Sequence, residues 1–330
     1  MNNFKNLHDL LANLPDEISC RQYFEQYRWP DGKPICPYCG SGKAYRIEKG
    51  KRFKCGNPEC YKKYSVLVGT IFEDSNIPLQ KWFIALYMAT NHKRGISSCQ
   101  LARDLNITQK SAWFMLHRLR HLMANGDIKK PFTDVVQADE AFVGGKNKNR
   151  HADKKVPKSK GRAYQDKTPV LGLMEYGKVM LQVLPDTQAE TIRDVIQAKV
   201  QKGAMLVSDD YDAYWWLRGH TFHVPVNHSL GVFTSGAFTT NGIEGFWSHL
   251  KRMIIGTYFG VSRKHLQRYC EELSYRFNTR KLKDGERFLS SLKHSEGPLP
   301  YKMLVQKSLP LKHGQRQENQ EKDSPKGTAS

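Results

Sequence analysis

The chain has 330 residues, enough for about two domains with sizeable cores. Lys and Arg number 52 against 32 Asp and Glu, a net charge of +20, and 39% apolar with 11% aromatic residues excludes wholesale disorder. No run approaches the roughly 18 apolar residues of a spanning helix, which excludes a helical membrane protein, and a self-repelling positive surplus points to a polyanionic partner, nucleic acid by default.

Residues 1–75 make the first zone. Met1–Leu14 is mixed and carries Asp9, so it lacks the apolar centre of a secretory signal, and a reducing, cytoplasmic setting is expected. Cys36, Cys39, Cys55 and Cys60 lie within 25 residues of one another, whereas Cys20, Cys99 and Cys270 are scattered and expected in or near the core. In a reducing compartment such a cluster favours metal over disulfides. Cys36-Pro-Tyr-Cys39 and Cys55-Gly-Asn-Pro-Glu-Cys60 form C-x2-C and C-x4-C knuckles, which place four thiolates around one tetrahedral Zn²⁺. Four cysteines leave no open position for catalysis, so this is a structural zinc ribbon. Gly40 and Gly42 supply permissive backbone at the first knuckle. Lys43–Ile47 and Tyr64–Val68 read as short strands. Lys43, Lys49, Lys51, Arg52, Lys54, Lys62 and Lys63 around them either touch phosphate or simply face water.

Residues 76–130 read as helical. Leu79–Ala89 is apolar, and Leu101, Leu105, Trp113, Leu116 and Leu119 recur at near-helical spacing. Ser97 to Arg120 fits a helix–turn–helix: Ser98 caps the first helix, Asn106 ends it, and Thr108 caps a second helix bearing Lys110, His117, Arg118 and Arg120. These charges are expected to face DNA, the plainer alternative being a helical hairpin with a solvated face.

Residues 131–290 alternate strand and helix signals. Asp134–Asp139 reads as a strand followed by Glu140–Gly145, then by a basic stretch, Lys146–Lys167, with nine Lys and Arg. Val170–Glu175 and Val179–Leu184 flank Tyr176-Gly177-Lys178 as a hairpin. Thr191–Val200 is an amphipathic helix, Ala204–Ser208 and Phe222–Val226 are strands, and Ile243–Ile254 is a helix. Three strands, helix, strand, strand, helix is the element order of a ribonuclease H-like fold. From about Leu309 to Ser330 the composition is that of a disordered tail, within a C-terminal extension over 291–330.

Asp139 and Asp209 each end an apolar strand, where carboxylates converge on a sheet edge and share a hard cation such as Mg²⁺. Glu140 and Asp210 adjoin them, but neighbouring strand side chains face opposite ways, so one of each pair reaches a common metal. In Thr240-Asn-Gly-Ile-Glu244-Gly-Phe-Trp-Ser-His-Leu-Lys251-Arg252, Ile243, Trp247, Leu250 and Ile254 make a buried stripe. Glu244 and Lys251, two turns apart, share a face beside it. A carboxylate binding metal and a cation steadying the backbone suit a scissile phosphate. The structural alternative makes Asn241 the helix cap and Glu244 the closing residue of a capping box.

Together these residues resemble a known family. The ribbon Cys36–Cys60, Gly69-Thr-Ile-Phe72, Trp82, Asp139-Glu-Ala-Phe-Val-Gly-Gly145, Ser208-Asp-Asp-Tyr-Asp-Ala-Tyr214, Asn227-His-Ser229, Thr240–Trp247 with Lys251-Arg252, and Glu272-Leu-Ser-Tyr-Arg-Phe-Asn278 look like a bacterial insertion-sequence transposase in which a zinc ribbon precedes a DDE-type domain. The resemblance covers roughly residues 15–285. It implies that Asp139 and Asp209 are the first two acidic residues. The third position is Asn in some branches and Glu in others, leaving Asn241 and Glu244 as alternatives, with Lys251 the associated basic residue. Thr239 stands where family members usually carry His. The expectation is a transposase using Mg²⁺ or Mn²⁺ with Zn²⁺ in the ribbon, acting on double-stranded element ends and target DNA as a homo-oligomer. A non-catalytic ribbon and helix–turn–helix regulator, and a metal-dependent nuclease without strand transfer, are the rivals.

Overall fold

A computed structural model describes residues 4–126, 130–145, 151–155, 167–209, 214, 219–226, 234–235 and 238–306. The expectations for most of the basic stretch at 146–167, for Asp210, for Asn227–Ser229 and for a tail from about 309 lie outside the described residues. Among the described residues no helix is long and apolar enough to cross a membrane.

The chain opens with α1 (Leu7–Asn13) and α2 (Glu17–Arg28). Asp16 and Ser19 close a capping box on α2, satisfying backbone donors that the first turn leaves open. Three short antiparallel strands follow, β1 (Ala44–Ile47), β2 (Arg52–Cys55) and β3 (Lys63–Tyr64), in that spatial order. The strand expected over Tyr64–Val68 stops at its first residue. The Ser65 hydroxyl accepts from Leu67 N at 3.2 Å and Val68 N bonds to Ser65 O, so the chain turns instead of extending. β2 escaped the sequence reading, although Phe53 and Cys55 point inward and Arg52 and Lys54 outward.

Next come α3 (Leu79–Asn91), α4 (Ser98–Leu105) and α5 (Gln109–Asn125). Asn106 ends α4 in the left-handed region at φ 48°, and Thr108 caps α5, as expected. The cap of α4 is Ser97, whose Oγ accepts from Gln100 N, not Ser98. The charges read onto α5 are corrected more deeply: His117, Arg118 and Arg120 are buried, and Lys110 alone of the four is exposed. The reason is that α5 is packed against α4 on one side and against a C-terminal helix on another, so its middle has no solvent face. Arg118 donates to the carbonyls of Ile71 and Glu73 at 2.9 and 2.6 Å.

The central sheet has the order β6-β5-β4-β7-β8: β4 (Val135–Val143), β5 (Thr168–Glu175), β6 (Lys178–Val183), β7 (Met205–Asp209) and β8 (Phe222–Val226). β4, β5 and β6 are antiparallel; β7 and β8 run parallel to β4. Tyr176 and Gly177, at φ 47° and 69°, turn the β5–β6 hairpin as a Gly-containing tight turn requires. Alternation sorts the two faces. Val136, Ala138, Leu171, Leu173 and Leu206 meet α6 (Ala189–Lys199), while Val170, Met174, Val179 and Leu181 meet α7 (Asn241–Met253) and α8 (Leu266–Asn278). A two-stranded ribbon, β9 (Thr234–Ser235) and β10 (Phe238–Thr239), precedes α7, and α7 continues as one π-turn over Ile254–Tyr258.

After α8, α9 (Asp284–Leu292) returns to the N-terminal core, where the Phe288 ring lies 5.5 Å from Phe83 and 5.7 Å from Phe4; α10 (Tyr301–Val305) follows. Between α5 and α8 sits a buried ion cluster. Arg120 Nε donates to Glu272 Oε2 at 2.7 Å, Arg276 donates to Oε1, and the Tyr258 hydroxyl donates to Oε1 at 2.6 Å. Burial alone would raise the Glu272 carboxyl, but Arg276 and Arg120 with the Tyr258 hydroxyl outweigh it and hold it at about 2. The folded value lies below the unfolded one, so its contribution is present above the ordinary glutamate range and lost as pH falls toward 2. Glu272→Gln leaves two buried guanidinium groups uncompensated and is expected to cost about 3–5 kcal/mol in urea unfolding. An unchanged midpoint would remove the cluster from the structural account.

Candidate active site and metal centre

Asp139 does not end its strand, as the sequence suggested. β5 pairs with β4 as far as Val143↔Thr168, so β4 continues four residues beyond Asp139. The other neighbour, β7, parts from β4 after Gln137↔Val207. Asp139 therefore lies where one edge of β4 has just opened. Asp209 ends β7, as expected, two residues beyond Val207. Equal offsets from a paired position put Asp139 and Asp209 on the same face of adjacent strands. That face is the one α7 covers. Glu140 points the other way, where it accepts a hydrogen bond from the hydroxyl of buried Tyr214.

Helix α7 brings the third group. Its start is seated on β4 by Gln137, whose Oε1 accepts from Ile243 N at 3.0 Å, one of the donors a helix leaves unpaired in its first turn. Gly242 allows this approach, because a Cβ there would stand 2.6 Å from Gln137 Oε1. Asn241 is the first helical residue and not the cap; Thr240 occupies the cap position. Asn241 N donates to Thr239 Oγ1 at 3.1 Å, so the threonine that departs from the family pattern takes a helix-start bond. The alternative capping box is also absent in that form: Glu244 Oε1 accepts from the Thr240 hydroxyl at 2.6 Å. Ile243, Trp247 and Leu250 are buried as the stripe required, joined by Phe246 and Met253, whereas Ile254 is half-buried. Asn241, Glu244 and Lys251 are exposed on the helix.

Trp247 closes the site from above. Its indole Nε1–H donates to Asp139 Oδ2 at 2.8 Å, and Glu140 N donates to Asp139 Oδ1 at 2.8 Å. The ring lies over Gly172, the register partner of Asp139 on β5. A Cβ at Gly172 would come within 2.7 Å of Trp247 Cη2 and of Ile243 Cδ1. Sequence reasoning treated Trp247 only as a core residue and passed over Gly172 and Gln137; a donor-bearing indole within the Asn241–Lys251 motif was the available signal.

Burial raises the Asp139 carboxyl above the usual range; the Trp247 and Glu140 donors oppose this, while the charges of Asp209 and Glu244 add to it. The charges of Asp209 and Glu244 thus both reach the Asp139 carboxyl, beside the open edge of β4. Among the described residues the four cysteines, and not these carboxylates, bring their ligand atoms close enough together to hold a metal ion.

The cysteines converge as the knuckles required. Cys36 and Cys60 Sγ are 3.8 Å apart, Cys39 and Cys55 Sγ 3.5 Å, and all four lie within 4.8 Å of one another. Four sulfurs about 2.3 Å from a tetrahedral zinc stand roughly 3.8 Å apart, so the cluster fits a structural Zn²⁺. Gly40 has the positive φ, 71°, that its knuckle needs; Gly42 does not share it. The seven basic residues named around the ribbon are all exposed. Of the remaining cysteines, Cys20 and Cys270 are buried and Cys99, against expectation, is exposed on α4.

Residues 15–63 match the family described as a transposase zinc-ribbon domain, and residues 131–278 match the one described as an ISXO2-like transposase domain, both of the IS1595 group. A protein of the transposable element ISH50 in Halobacterium salinarum is 26% identical over 265 residues, spanning 76% of this chain and 87% of that protein. A transposase-like protein of Haemophilus influenzae is 31% identical over 116 residues, 35% of this chain and 93% of that one. Among solved structures, a pre-cleavage Mos1 transpososome aligns over 57% of this chain and 74% of the other, with 13% identity and a TM-score of 0.22, too loose a likeness to carry an argument.

Two outcomes test the geometry. Gly172→Ala is expected to lose about 1–3 kcal/mol through overpacking, and adding Trp247→Phe, which withdraws the indole edge, is expected to restore part of it. Strictly additive losses in thermal denaturation would contradict the close approach. For the ribbon, metal analysis is expected to give one zinc per chain, lost in Cys36→Ser/Cys39→Ser together with part of the stability of the N-terminal core. Stoichiometric zinc in the double variant would rule out the cluster as the site.

Proposed function

Because the chain belongs to the IS1595 family of DDE transposases with an N-terminal zinc ribbon, we propose that it cuts the ends of an insertion sequence and joins the freed 3′-hydroxyls to target DNA, with Asp139, Asp209 and Glu244 as the carboxylates of the reaction. This reading is carried by Asp139 and Asp209 lying on one face of adjacent strands, under the helix that bears Glu244. Divalent ions held there supply the chemistry of activating a water or a 3′-hydroxyl and stabilising the leaving oxygen of an in-line displacement.

The protein's own part is binding and orientation. Asp139 and Asp209 present oxygens from adjacent strands, and the Trp247 indole with Glu140 N fixes the rotamer of Asp139. Glu244 joins them from the first turn of α7, and the Thr240 hydroxyl steadies one of its oxygens. Lys251, two turns along the same face, meets the DNA backbone beside the scissile phosphate. The choice of Glu244 over Asn241 as third ligand is supported by its charge reaching Asp139; Asn241 then serves the helix start. No covalent nucleophile is required.

A ribonuclease H-like domain is supported by the observed succession of three antiparallel strands, helix, two parallel strands and helix. The proposed divisions are ribbon over 1–75, helix–turn–helix over 76–130, catalytic domain over 131–290 and extension over 291–330. Within the helix–turn–helix, the exposed run Thr108, Gln109 and Lys110 at the start of α5 is the part free to enter a groove. Double-stranded DNA is the proposed partner, bound by an oligomer in the cytoplasm, with the +20 charge in support.

Purified protein incubated with labelled element ends and a plasmid is expected to cut and join in Mg²⁺ and to do neither without it. Asp139→Asn and Asp209→Asn are expected to abolish cutting with DNA binding intact, and Trp247→Phe to cost roughly 10–100-fold in metal affinity or rate. Glu244→Gln is expected to cost far more than Asn241→Ser; the reverse order makes Asn241 the ligand. Binding without cutting would favour the regulator, and cutting without joining the nuclease.

A further inference from the structure

A cleft of about 550 Å³ opens between the end of α3 and the helices α7, α8 and α9, lined by Lys93, His249, Phe277, Arg280 and Arg287 among others. Among the described residues its one lining carboxylate is already engaged: Asp284 accepts from the Tyr87 hydroxyl at 3.1 Å and stands 3.8 Å from Arg287 Nη1. Arg280, which lines the cleft, and Arg252, which lies on α7 outside the lining, are matched differently. Arg280 Nη1 donates to the carbonyl oxygens of Gly177 and Phe277 at 2.8 and 2.7 Å, and Arg252 to the carbonyl and hydroxyl of Ser248 at 3.1 and 2.7 Å. Both are held by neutral acceptors, which fix the guanidinium group, and among the described residues neither forms an ion pair with a carboxylate. Lys93 and Arg94 project, exposed, from the loop that leads into α4. The positive fields converge on one ring: after burial, Arg252, Arg280 and Arg94 are what lower the His249 imidazole.

The cleft also adjoins the proposed catalytic helix. At 100° per residue, Lys251 returns to within about 20° of the line of Glu244, Arg252 falls about 80° round and His249 about 140°. Positive charge therefore crosses the exposed face of α7 from the Glu244 line into the cleft. Like charges gathered this closely repel, and the arrangement is stabilised when an anion arrives between them.

We propose that this cleft seats backbone phosphates of the DNA next to the cleavage position, with Lys93 and Arg94 as its outer contacts. The identity of the anion rests on the transposase reading. Phosphate contacts position a duplex without reading its sequence, so the cleft would hold the strand in line with the carboxylates whatever the flanking bases are.

The test uses the full chain and a labelled duplex carrying an element end, with affinity followed by anisotropy from about 50 to 200 mM salt, without divalent ions. Each phosphate contact contributes about −0.9 to the slope of log K against log salt. Lys93→Gln/Arg94→Gln is expected to make that slope shallower by roughly 1.8. Lys199→Gln/Lys202→Gln, which removes the same charge from the α6 side of the sheet, is expected to leave it as in the wild type. A slope unchanged in the cleft pair, or reduced equally in both pairs, overturns the proposal. Mg²⁺-dependent cutting of the same duplex by the wild type tests the transposase reading by itself, because the slopes are measured whether or not the DNA is cut.

Discussion

The candidate active site depends on an indole lying against a residue that has no side chain. Trp247 is large enough to fill the space between α7 and the sheet and carries one donor, which reaches Asp139 Oδ2 at 2.8 Å. It does so because the residue beneath it is Gly172; any Cβ there would stand within 2.7 Å of the ring. The pairing Asp139↔Gly172 places the vacancy directly beside the carboxylate it serves. One contact thus couples the seating of a helix to the orientation of a carboxylate. An apolar ring of the same size would fill the volume and leave Asp139, of its bonds to Trp247 and Glu140 N, with the latter alone.

Helix α7 is held at both ends, by different physics. Its start is fixed by the Gln137 carbonyl oxygen on Ile243 N. Its end runs into the π-turn, where the Tyr258 hydroxyl joins Glu272, and Arg276 Nη2 reaches Met253 Sδ at 3.2 Å. Glu272 in turn binds Arg120 of α5. The helix that carries Glu244 and Lys251 is therefore tied through one buried carboxylate to the helix whose first turn is proposed to meet DNA. Gly95 belongs to the same assembly, since a Cβ there would run into the Tyr258 hydroxyl and stand 2.9 Å from Glu272 Oε1.

Local chemistry was legible in the sequence, and contacts between distant segments were not. Two knuckles announce four converging thiolates, because spacing along the chain sets the geometry. Tyr176-Gly177 marks a hairpin for the same reason, whereas the common face of Asp139 and Asp209 needs the register Gln137↔Val207 between distant strands. Whether Asp139 ends its strand depends on how far β5 accompanies it, thirty residues later in the chain. Whether Thr239 or Asn241 serves the start of α7 depends on a hairpin that precedes it. His117, Arg118 and Arg120 looked like a DNA-facing row because helical periodicity reports which residues share a side, and not what covers that side. Here α8 covers it.

That last point changes how the net charge is to be understood. A surplus of twenty positive charges suggests a surface spread with phosphate contacts, yet several of the arginines are interior. Arg120 is sandwiched by rings, 3.9 Å from the centroid of Tyr269, and Arg118 serves carbonyl groups of a loop. The planar guanidinium group does this well, since its donors fan out in fixed directions and it is less strongly hydrated than an ammonium. Lysines on the ribbon and Arg252, Arg280 and Arg94 around His249, in contrast, are exposed. The surplus is thus unevenly used: guanidinium groups with buried partners organise the fold, and those held by neutral acceptors beside α7 are the ones proposed to meet an anion. Position relative to acceptors, more than the total, decides which arginine can meet DNA.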